Sequence, residues 1–568
     1  MKVAYHSPFH PTSELGEPAV AKPKLLPKPN NAEETAKDIS PISQELVIGV
    51  VGYAGAGCST AARRIRVLLE LKGYEVHPIK LSTLIAERFD TSKLQKIEEG
   101  ARKGVSQLLR ASELQDRGDN LRKQYGNAAV AALAVHAIKK QRGSRIAGEQ
   151  KLAFILDSIK HSEEVELLRR AYDLSFRLVA VHCEQSQREK RLIGDARSTA
   201  KYSGALRKDV HAYMDRDEKD RGRQYGQQVR DAFYRADFFI DNNSVSRDGE
   251  NLTHDLSRLV DLLLGSGLVR PTREERAMYH AHAAALQSSC LSRQVGAALM
   301  LQDGTIVSTG TNEVPKFGGG VCDEDAASEH RCFQWKWTDG STEFVGCHNK
   351  RKKDSLQKEI GEWLATNLSE KLARAAYPPP EAEFDIAEKA RSQAKERIAD
   401  FFRSDSAALD GAPGLKDAIE YSRAIHAEMS ALLSAARNRI SPEGAALFCT
   451  TYPCHNCARH LVTAGIEYVY YIEPYVKSLA RELHGDSIST EFPPVDATGA
   501  RSRPTKMVIV PFTGVGPRMY EDFFTKRVEL KFPDGSFDSP VGGVPALAVR
   551  LRELLKVEDG AAALVPEK

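Results

Sequence analysis

The sequence has no apolar run long enough to cross a membrane, and its first thirty residues lack the apolar segment of a secretory signal. It also lacks an excess of either charge, because 80 Lys and Arg residues stand against 77 Asp and Glu residues, a formal net charge of +3. The lack of a long apolar run excludes a membrane-spanning helix. The balanced charge does not indicate a nucleic-acid-binding protein, although a local basic groove is compatible with it. We therefore expect a cytoplasmic protein with no membrane partner.

Cysteine is scarce, at nine in 568 residues, and no internal repeat is visible. In a reducing cytoplasm, clustered cysteines bind metal or take part in chemistry more often than they form disulfides. The length is too great for a single core and predicts two or three domains. Residues 1–45 are rich in Pro, Lys and polar side chains, so we expect a disordered leader there.

The rest of the chain alternates between strand-like and helix-like segments, which predicts an α/β fold. In residues 46–268, apolar strands separated by helices predict a parallel sheet covered on both faces. Residues 269–545 form a second expected α/β domain, interrupted by a long insertion at about 318–410. Residues 546–568 complete the chain with a predicted helix and tail.

The most specific pattern is HAE at 426–428 followed by PCHNC at 453–457. This is the H-x-E and P-C-x-x-C signature of zinc deaminases that act on nucleobases and nucleotides. Zinc binds imidazole and thiolate, and a catalytic zinc keeps one position for water, whose pKa it lowers. We therefore predict His426, Cys454 and Cys457 as zinc ligands. Glu428 is predicted as the catalytic acid and base that moves protons from the water to the pyrimidine ring and the departing amine.

Two alternatives to this interpretation remain open at the level of the sequence. The four residues are scattered members of the core, or they form a purely structural zinc site. The first requires agreement of order and spacing by coincidence, and the second explains the ligands but not Glu428.

Several segments between Met278 and Phe524 resemble deoxycytidylate deaminases: SSCLSRQVGAALM, TGTNEVP, AIHAEMSALL, the PCHNC segment and FTGVGPRMYEDFF. The resemblance implies a mixed sheet with zinc at two helix N-termini. It places Asn312, of the Gly-x-Asn element, against the nucleoside. For the sugar hydroxyl and phosphate, Arg293 and Tyr475 are both candidates, with a surface ion pair and core packing as their respective alternatives.

The insertion holds a second group of potential metal ligands whose spacing matches no standard zinc finger or ribbon. A second, structural zinc is one hypothesis, and buried apolar cysteines with loop histidines are the other. The residues are Cys322, His330, Cys332, Cys347 and His348.

A glycine-rich loop follows the first predicted strand and has the spacing of a phosphate-binding P-loop without its lysine. The predicted nucleotide-binding residues are Gly52, Gly55, Gly57, Cys58, Ser59 and Thr60. Backbone N–H groups and the helix N-terminus bind phosphate without lysine, and Ser59 is suited to Mg²⁺. Because lysine matters most during phosphoryl transfer, we expect binding of a purine nucleotide and doubt transfer. Asp157 is predicted as the second carboxylate of such a site or as the N-cap of the next helix.

This first domain resembles nucleoside monophosphate kinase-like P-loop folds. A P-loop domain ahead of a deoxycytidylate deaminase domain resembles bacterial antiviral deaminases. That resemblance implies deamination of free dCTP and dCMP during phage infection, an oligomer, and control by an RNA partner. The competing hypotheses are a deaminase of single-stranded nucleic acid, a nucleotide or RNA sensor with a vestigial deaminase, and a bifunctional kinase and deaminase.

Overall fold

The computed structural model of the chain describes fourteen stretches, and everything below concerns them. They are residues 43–100, 103–143, 150–194, 203–220, 223–243, 250–324, 331–336, 343–376, 384–404, 421–475, 478–494, 501–526, 531–536 and 551–566. Most of the predicted leader, residues 1–42, lies outside them. Ser43 and Glu45, which the sequence assigned to the leader, are buried beside the first strand.

The described strands are β1 Leu46–Gly52, β2 Glu75–Lys80, β3 Leu152–Ile159, β4 Phe176–His182, β5 Phe238–Asp241, β6 Gly296–Met300, β7 Ile306–Thr311, β8 Gln334–Lys336, β9 Glu343–Val345, β10 Ala446–Thr451, β11 Tyr468–Glu473, β12 Ile488–Ser489, β13 Met507–Pro511 and β14 Gly514–Val515. The described α-helices are α1 Cys58–Leu71, α2 Leu81–Glu87, α3 Ser92–Gly100, α4 Lys103–Tyr125, α5 Ala129–Arg142, α6 Ser162–Tyr172, α7 Gln185–Ile193, α8 Ser203–Lys219, α9 Val229–Phe233, α10 Glu250–Leu263, α11 Arg273–Ala285, α12 His348–Asn367, α13 Ser369–Ala376, α14 Phe384–Ser404, α15 Ala427–Arg437, α16 His455–Thr463, α17 Ala480–His484, α18 Tyr520–Phe524 and α19 Leu551–Ala562. Short 3₁₀ turns cover Asp173–Ser175 and Pro517–Met519.

The first sheet has the order β14-β5-β4-β1-β3-β2, and its five strands from the first half of the chain are parallel. All seven residues of β1 are buried, because this central strand has helices on both faces. The side chains of Val47 and Val51 enter one core, whereas those of Leu46, Ile48 and Val50 enter another. The predicted parallel sheet of the P-loop kinase type is therefore confirmed.

The second sheet has the order β12-β13-β11-β10-β6-β7 and is mixed. β10, β11, β12 and β13 run parallel, whereas β6 and β7 form the predicted antiparallel hairpin and join the sheet through β10. α15 packs directly on β7, where a Cβ on Gly310 would lie 2.2 Å from the carbonyl oxygen of Ala427. The absence of a side chain at Gly310 lets α15 approach the sheet closely, and this places the start of the helix.

The chain returns to the first sheet after completing the second. β14 adds an antiparallel strand beside β5, and the backbone N–H of Val515 donates to buried Glu275 at 2.7 Å. α19 packs against α5 and α6, where Glu558 accepts hydrogen bonds from Arg142 and Tyr172. The first sheet and its covering helices therefore include residues from both ends of the described chain. The predicted boundary near 269 stays a prediction.

The insertion contributes the β8–β9 hairpin and a bundle of α12, α13 and α14. Among the described helices, none is both long enough and apolar enough to span a bilayer.

Candidate active site

The predicted zinc ligands converge at the N-termini of two helices. His426 is the N-cap residue of α15, and Cys454 is the N-cap residue of α16. The donor atoms of His426, Cys454 and Cys457 all lie within 4.8 Å of one another. Both sulfurs are 3.3 Å from Nδ1 of the imidazole. One imidazole nitrogen and two thiolates are donors that zinc prefers, and their separations suit bonds of about 2.0–2.3 Å to a shared ion.

Local structure explains why these three side chains meet. β10 ends at Thr451, and the following turn delivers Cys454 to the start of α16, where its sulfur accepts the backbone N–H of Cys457 at 3.4 Å. On the other side, the N–H of Ile425 donates to the backbone carbonyl of Glu313 at 3.0 Å. The Glu313 carboxylate is itself buried and accepts from the N–H groups of Ser289 and Val314. This second anchor, which the sequence analysis missed, fixes the chain just before His426.

Glu428 lies in the first turn of α15, two residues after the histidine, and is only 4% exposed. Burial raises the pKa of its carboxyl, and the neighbouring Cys454 raises it further. A carboxyl with a raised pKa beside a metal site is suited to accept a proton and to release it again. The predicted proton carrier thus lies where that role requires it.

The thiols and the imidazole influence each other strongly. Hydrogen bonds from Cys457 and His426 lower the pKa of Cys454 to about 4. The hydrogen bond with Cys454 raises the pKa of His426 to about 9, against the effect of burial. The lowered pKa favours the thiolate form of Cys454, which is the protonation state that metal binding needs.

A cavity of about 390 Å³ opens above this cluster. Its lining includes all three residues predicted to contact substrate, Asn312, Arg293 and Tyr475. The Asn312 amide accepts from the N–H of Val295 at 2.7 Å and donates to the carbonyl of Arg293 at 2.8 Å. It therefore holds the segment on which Arg293 lies. The Arg293 guanidinium pairs with Glu473 at 2.7 Å.

The insertion also reaches this cavity, which the sequence did not reveal. Cys332, Cys347, Asn349 and Lys353 contribute to the lining beside the metal-binding cluster. No local spacing indicates this, because the insertion lies up to about a hundred residues away from HAE in the chain.

The hypothesis of a second zinc finds no support among the described residues. There, the His426 cluster is the only group of three or more His, Cys, Asp or Glu donors that converges. Cys322 and Cys332 instead pack in a small apolar cluster with Val314 and Ala424, and Cys347 and His348 begin α12. His330 lies outside the described residues. Cys322 and Cys332 are thus buried among apolar neighbours, and the second zinc stays a hypothesis.

The glycine-rich loop connects β1 to α1 and borders a separate cavity of about 460 Å³, which all six predicted loop residues line. Gly57 has a φ of 96°, a left-handed conformation that favours glycine. The Ser59 hydroxyl donates to Asp157 at 2.6 Å. His161, rather than Asp157, caps α6. The pairing of serine with aspartate is the arrangement that holds Mg²⁺ in P-loop proteins.

Cys58 occupies the position of the missing lysine but is buried in the core beneath the loop. A Cβ on Gly52 would lie 2.7 Å from its sulfur. Burial raises the pKa of the Cys58 thiol to about 12, so it is neutral. The sequence-based conclusion that Cys58 brings no charge to the loop agrees with this placement.

Comparison with known proteins identifies the chemistry of the zinc region. The model of the cytidine and deoxycytidylate deaminase zinc-binding region matches residues 365–473, which include His426, Glu428, Cys454 and Cys457. A deoxycytidylate deaminase of Enterobacteria phage T2 is 29% identical over 192 residues, which cover 34% of this chain and 75% of that protein.

Two solved structures align with different parts of the chain. The dCMP deaminase of cyanophage S-TIM5 aligns over 43% of this chain and 100% of its own, at 16% identity and a TM-score of 0.20. Shikimate kinase from Bacteroides thetaiotaomicron aligns over 38% and 98%, at 15% identity and a TM-score of 0.23. These TM-scores are too low to bear on the fold, which the strand orders establish directly.

The protein is a hydrolytic deaminase with a zinc-binding region of the cytidine and deoxycytidylate deaminase type. When bound at this site, zinc supplies a water acidic enough to serve as a nucleophile near neutral pH.

Proposed function

We propose that the protein deaminates free deoxycytidine nucleotides, converting dCMP to dUMP and dCTP to dUTP. The observation that carries this proposal is the buried Glu428 carboxyl beside the His426 and Cys454 donors, at the base of a cavity whose wall includes Arg293. The phage T2 relative supports a deoxycytidylate as substrate.

Glu428 and the three metal donors have distinct roles in a hydrolytic deamination. An oxygen from water replaces the amine at C4 of the cytosine ring, and ammonia leaves. Glu428 takes a proton from the water, passes it to the ring nitrogen, and delivers a proton to the departing amine. His426, Cys454 and Cys457 hold the ion. No residue of the protein forms a covalent bond with the substrate.

Substrate orientation is assigned to the opposite wall of the cavity. Asn312 positions the segment that precedes β6 and offers its amide to the nucleoside. Arg293 is the candidate for the 5′-phosphate, because its guanidinium matches a phosphate fork and already binds the carboxylate of Glu473. Tyr475 is the candidate for the sugar.

Mass spectrometry of three separate substrates tests this function. The purified, zinc-loaded protein is incubated with dCMP, with dCTP and with a cytosine oligonucleotide. We expect loss of ammonia from the free nucleotides alone. Turnover of only the oligonucleotide would replace this function with deamination of single-stranded nucleic acid, and turnover of none of the three would refute both.

We also propose that the P-loop half regulates the deaminase by binding a purine nucleotide and Mg²⁺ through Ser59 and Asp157. α9 supports such a link, because it begins two residues after Gln227, which borders the loop cavity, and contains Arg230. The charges of Arg293 and Arg230 both lower the pKa of Glu473, although burial raises it overall. The pKa of Glu473 therefore depends both on Arg293 in the cavity wall and on Arg230 in α9.

Deamination rates measured with and without ATP or GTP test the link. We expect a purine nucleotide to change the rate in the wild type and to leave the rate of Arg230→Ala unchanged. The proposed regulation would be wrong if neither nucleotide alters the wild-type rate.

We infer an anti-phage role, through depletion of the deoxycytidine nucleotide pool, from the resemblance to antiviral deaminases. The same resemblance supports a homo-oligomer and an inhibitory RNA in the cytoplasm. Phage plating on bacteria that express the wild type or Glu428→Ala tests the role. We expect protection only from the wild type, and equal plating on both strains would contradict it.

A further inference from the structure

The P-loop lacks its lysine, yet a lysine from elsewhere in the chain lies against it. Lys160 follows β3, and its Nζ donates to the carbonyl of Gly52, the first glycine of the loop, at 3.3 Å. Lys160 also lines the loop cavity, together with Ser59 and Thr60. Its position at the end of β3, next to the strand that carries the loop, brings it there from 108 residues away.

A side-chain carboxylate of the protein, that of Asp217, occupies part of this predicted phosphate site. One carboxylate oxygen of Asp217, near the end of α8, accepts the backbone N–H of Ala54 at 2.7 Å. The other lies 2.8 Å from Nζ of Lys160. Asp217 is only 1% exposed. A loop N–H and a lysine ammonium are the donors that P-loops offer to phosphate. Here the Asp217 carboxylate accepts the loop N–H and forms the ion pair with the ammonium.

The charge of Lys160 persists despite its surroundings. Burial lowers the pKa of Lys160, but Asp217, Tyr213 and Cys58 together outweigh burial, so that the pKa lies above the ordinary value. Three other cations line the cavity: Lys80, Arg110 and Arg122. Lys80 is exposed, whereas Arg110 pairs with Glu98 and Arg122 with Glu164. Lys160 thus places a positive charge inside the cavity and against the first glycine of the loop, where it can compensate a bound anion.

We propose that Lys160 replaces the missing lysine of the P-loop and that Asp217 is a resident carboxylate which the polyphosphate of a nucleotide must displace. The inference rests on the proposed nucleotide-binding function of the loop and extends it. Displacement of Asp217 frees α8, which leads toward α9, and so provides a physical event by which nucleotide binding is transmitted. It also explains why the loop keeps the backbone geometry of a phosphate-binding loop although the loop itself carries no lysine.

Binding of inorganic tripolyphosphate, and then of MgATP, to the full-length protein tests the proposal by calorimetry. Asp217→Asn keeps the shape of the side chain but removes its charge, so we expect tripolyphosphate to bind at least tenfold more tightly than to the wild type. Lys160→Met in the Asp217→Asn background removes the cation without leaving a buried carboxylate unpaired, and we expect this gain to be lost.

Two controls separate the effect on the site from an effect on folding. Lys160→Arg in the Asp217→Asn background retains the cation and should retain most of the gain. Lys219 also lies on α8, and Lys219→Met breaks its ion pair with Asp231 of α9 but should leave binding at the wild-type level. The thermal unfolding midpoint of each variant verifies that it is folded.

The outcomes are decisive in either direction. Equal or weaker binding to Asp217→Asn overturns the role of Asp217, and this holds even if the double variant does not fold. Unchanged binding after Lys160→Met in the Asp217→Asn background overturns the role of Lys160. Deamination of dCMP by the same preparations reports separately on the proposed enzymatic function, since tripolyphosphate binding does not depend on it.

Discussion

Arg142 joins the start of the described chain to its end, and its replacement should strongly destabilise the first half. Its guanidinium contacts Glu45 at 2.6 and 2.8 Å and Glu558 at 2.6 and 3.0 Å, with all three side chains buried. Arg142→Met would leave two carboxylates facing each other without a cation. Breaking a buried ion pair in this way costs about 3–5 kcal/mol.

The pH dependence of this loss follows from Glu45. Burial already raises its pKa in the folded protein, and Arg142 opposes that rise. Removing Arg142 should raise the pKa further, so that folded Glu45 binds a proton more tightly than unfolded Glu45. A group with a raised folded pKa stabilises the fold below its unfolded pKa and loses that effect as pH rises. The deficit should therefore be smaller at pH 5 than at pH 8.

Urea denaturation followed by circular dichroism measures this deficit at both pH values. Arg66→Met is the matched control, because Arg66 and its partner Glu70 are both exposed, and we expect a change below about 0.5 kcal/mol. Adding Glu45→Gln and Glu558→Gln to Arg142→Met should recover part of the loss. A deficit under about 1 kcal/mol, or one that is equal at pH 5 and pH 8, would refute the reasoning.

Three further predictions concern the active site. Glu428→Gln should lower kcat roughly 10²- to 10⁴-fold, while metal analysis finds zinc unchanged, and a smaller loss would contradict its role as proton carrier. Chelation of zinc should abolish deamination and lower the thermal midpoint, with both restored by added zinc but not by Mg²⁺. Gly310→Ala should destabilise the protein by about 1–3 kcal/mol and weaken zinc binding, because the new Cβ pushes α15 and His426 away from β7. Wild-type zinc affinity in Gly310→Ala would show that α15 tolerates the displacement.

The local sequence predicted the metal donors and Glu428, but it did not predict which residues of the insertion line the cavity. HAE and PCHNC place their side chains within one helical turn each, so the donor set was readable without the fold. Glu313 gave no such signal, because an acidic residue after a strand is usually exposed and its burial depends on partners in distant loops.

Composition alone does not decide the second zinc hypothesis. Cysteines and histidines are close together in the sequence of the insertion, but among its described residues no three of them meet as metal donors. Cys322 and Cys332 are buried against apolar neighbours instead. Whether a cysteine serves as a ligand or as a small apolar side chain depends on which direction the fold turns it.

The sequence alone determined the alternation of strands and helices, the metal donors, Glu428 and the absence of a lysine in the loop. These features depend on periodicity and short spacing, which are local properties of the chain. Tertiary structure alone decided that Lys160 and Asp217 meet at the loop, that the insertion lines the active-site cavity, that β14 joins the first sheet, and that α19 packs against α5 and α6. Those contacts join residues separated by tens to hundreds of positions, and only packing of the apolar faces brings them together.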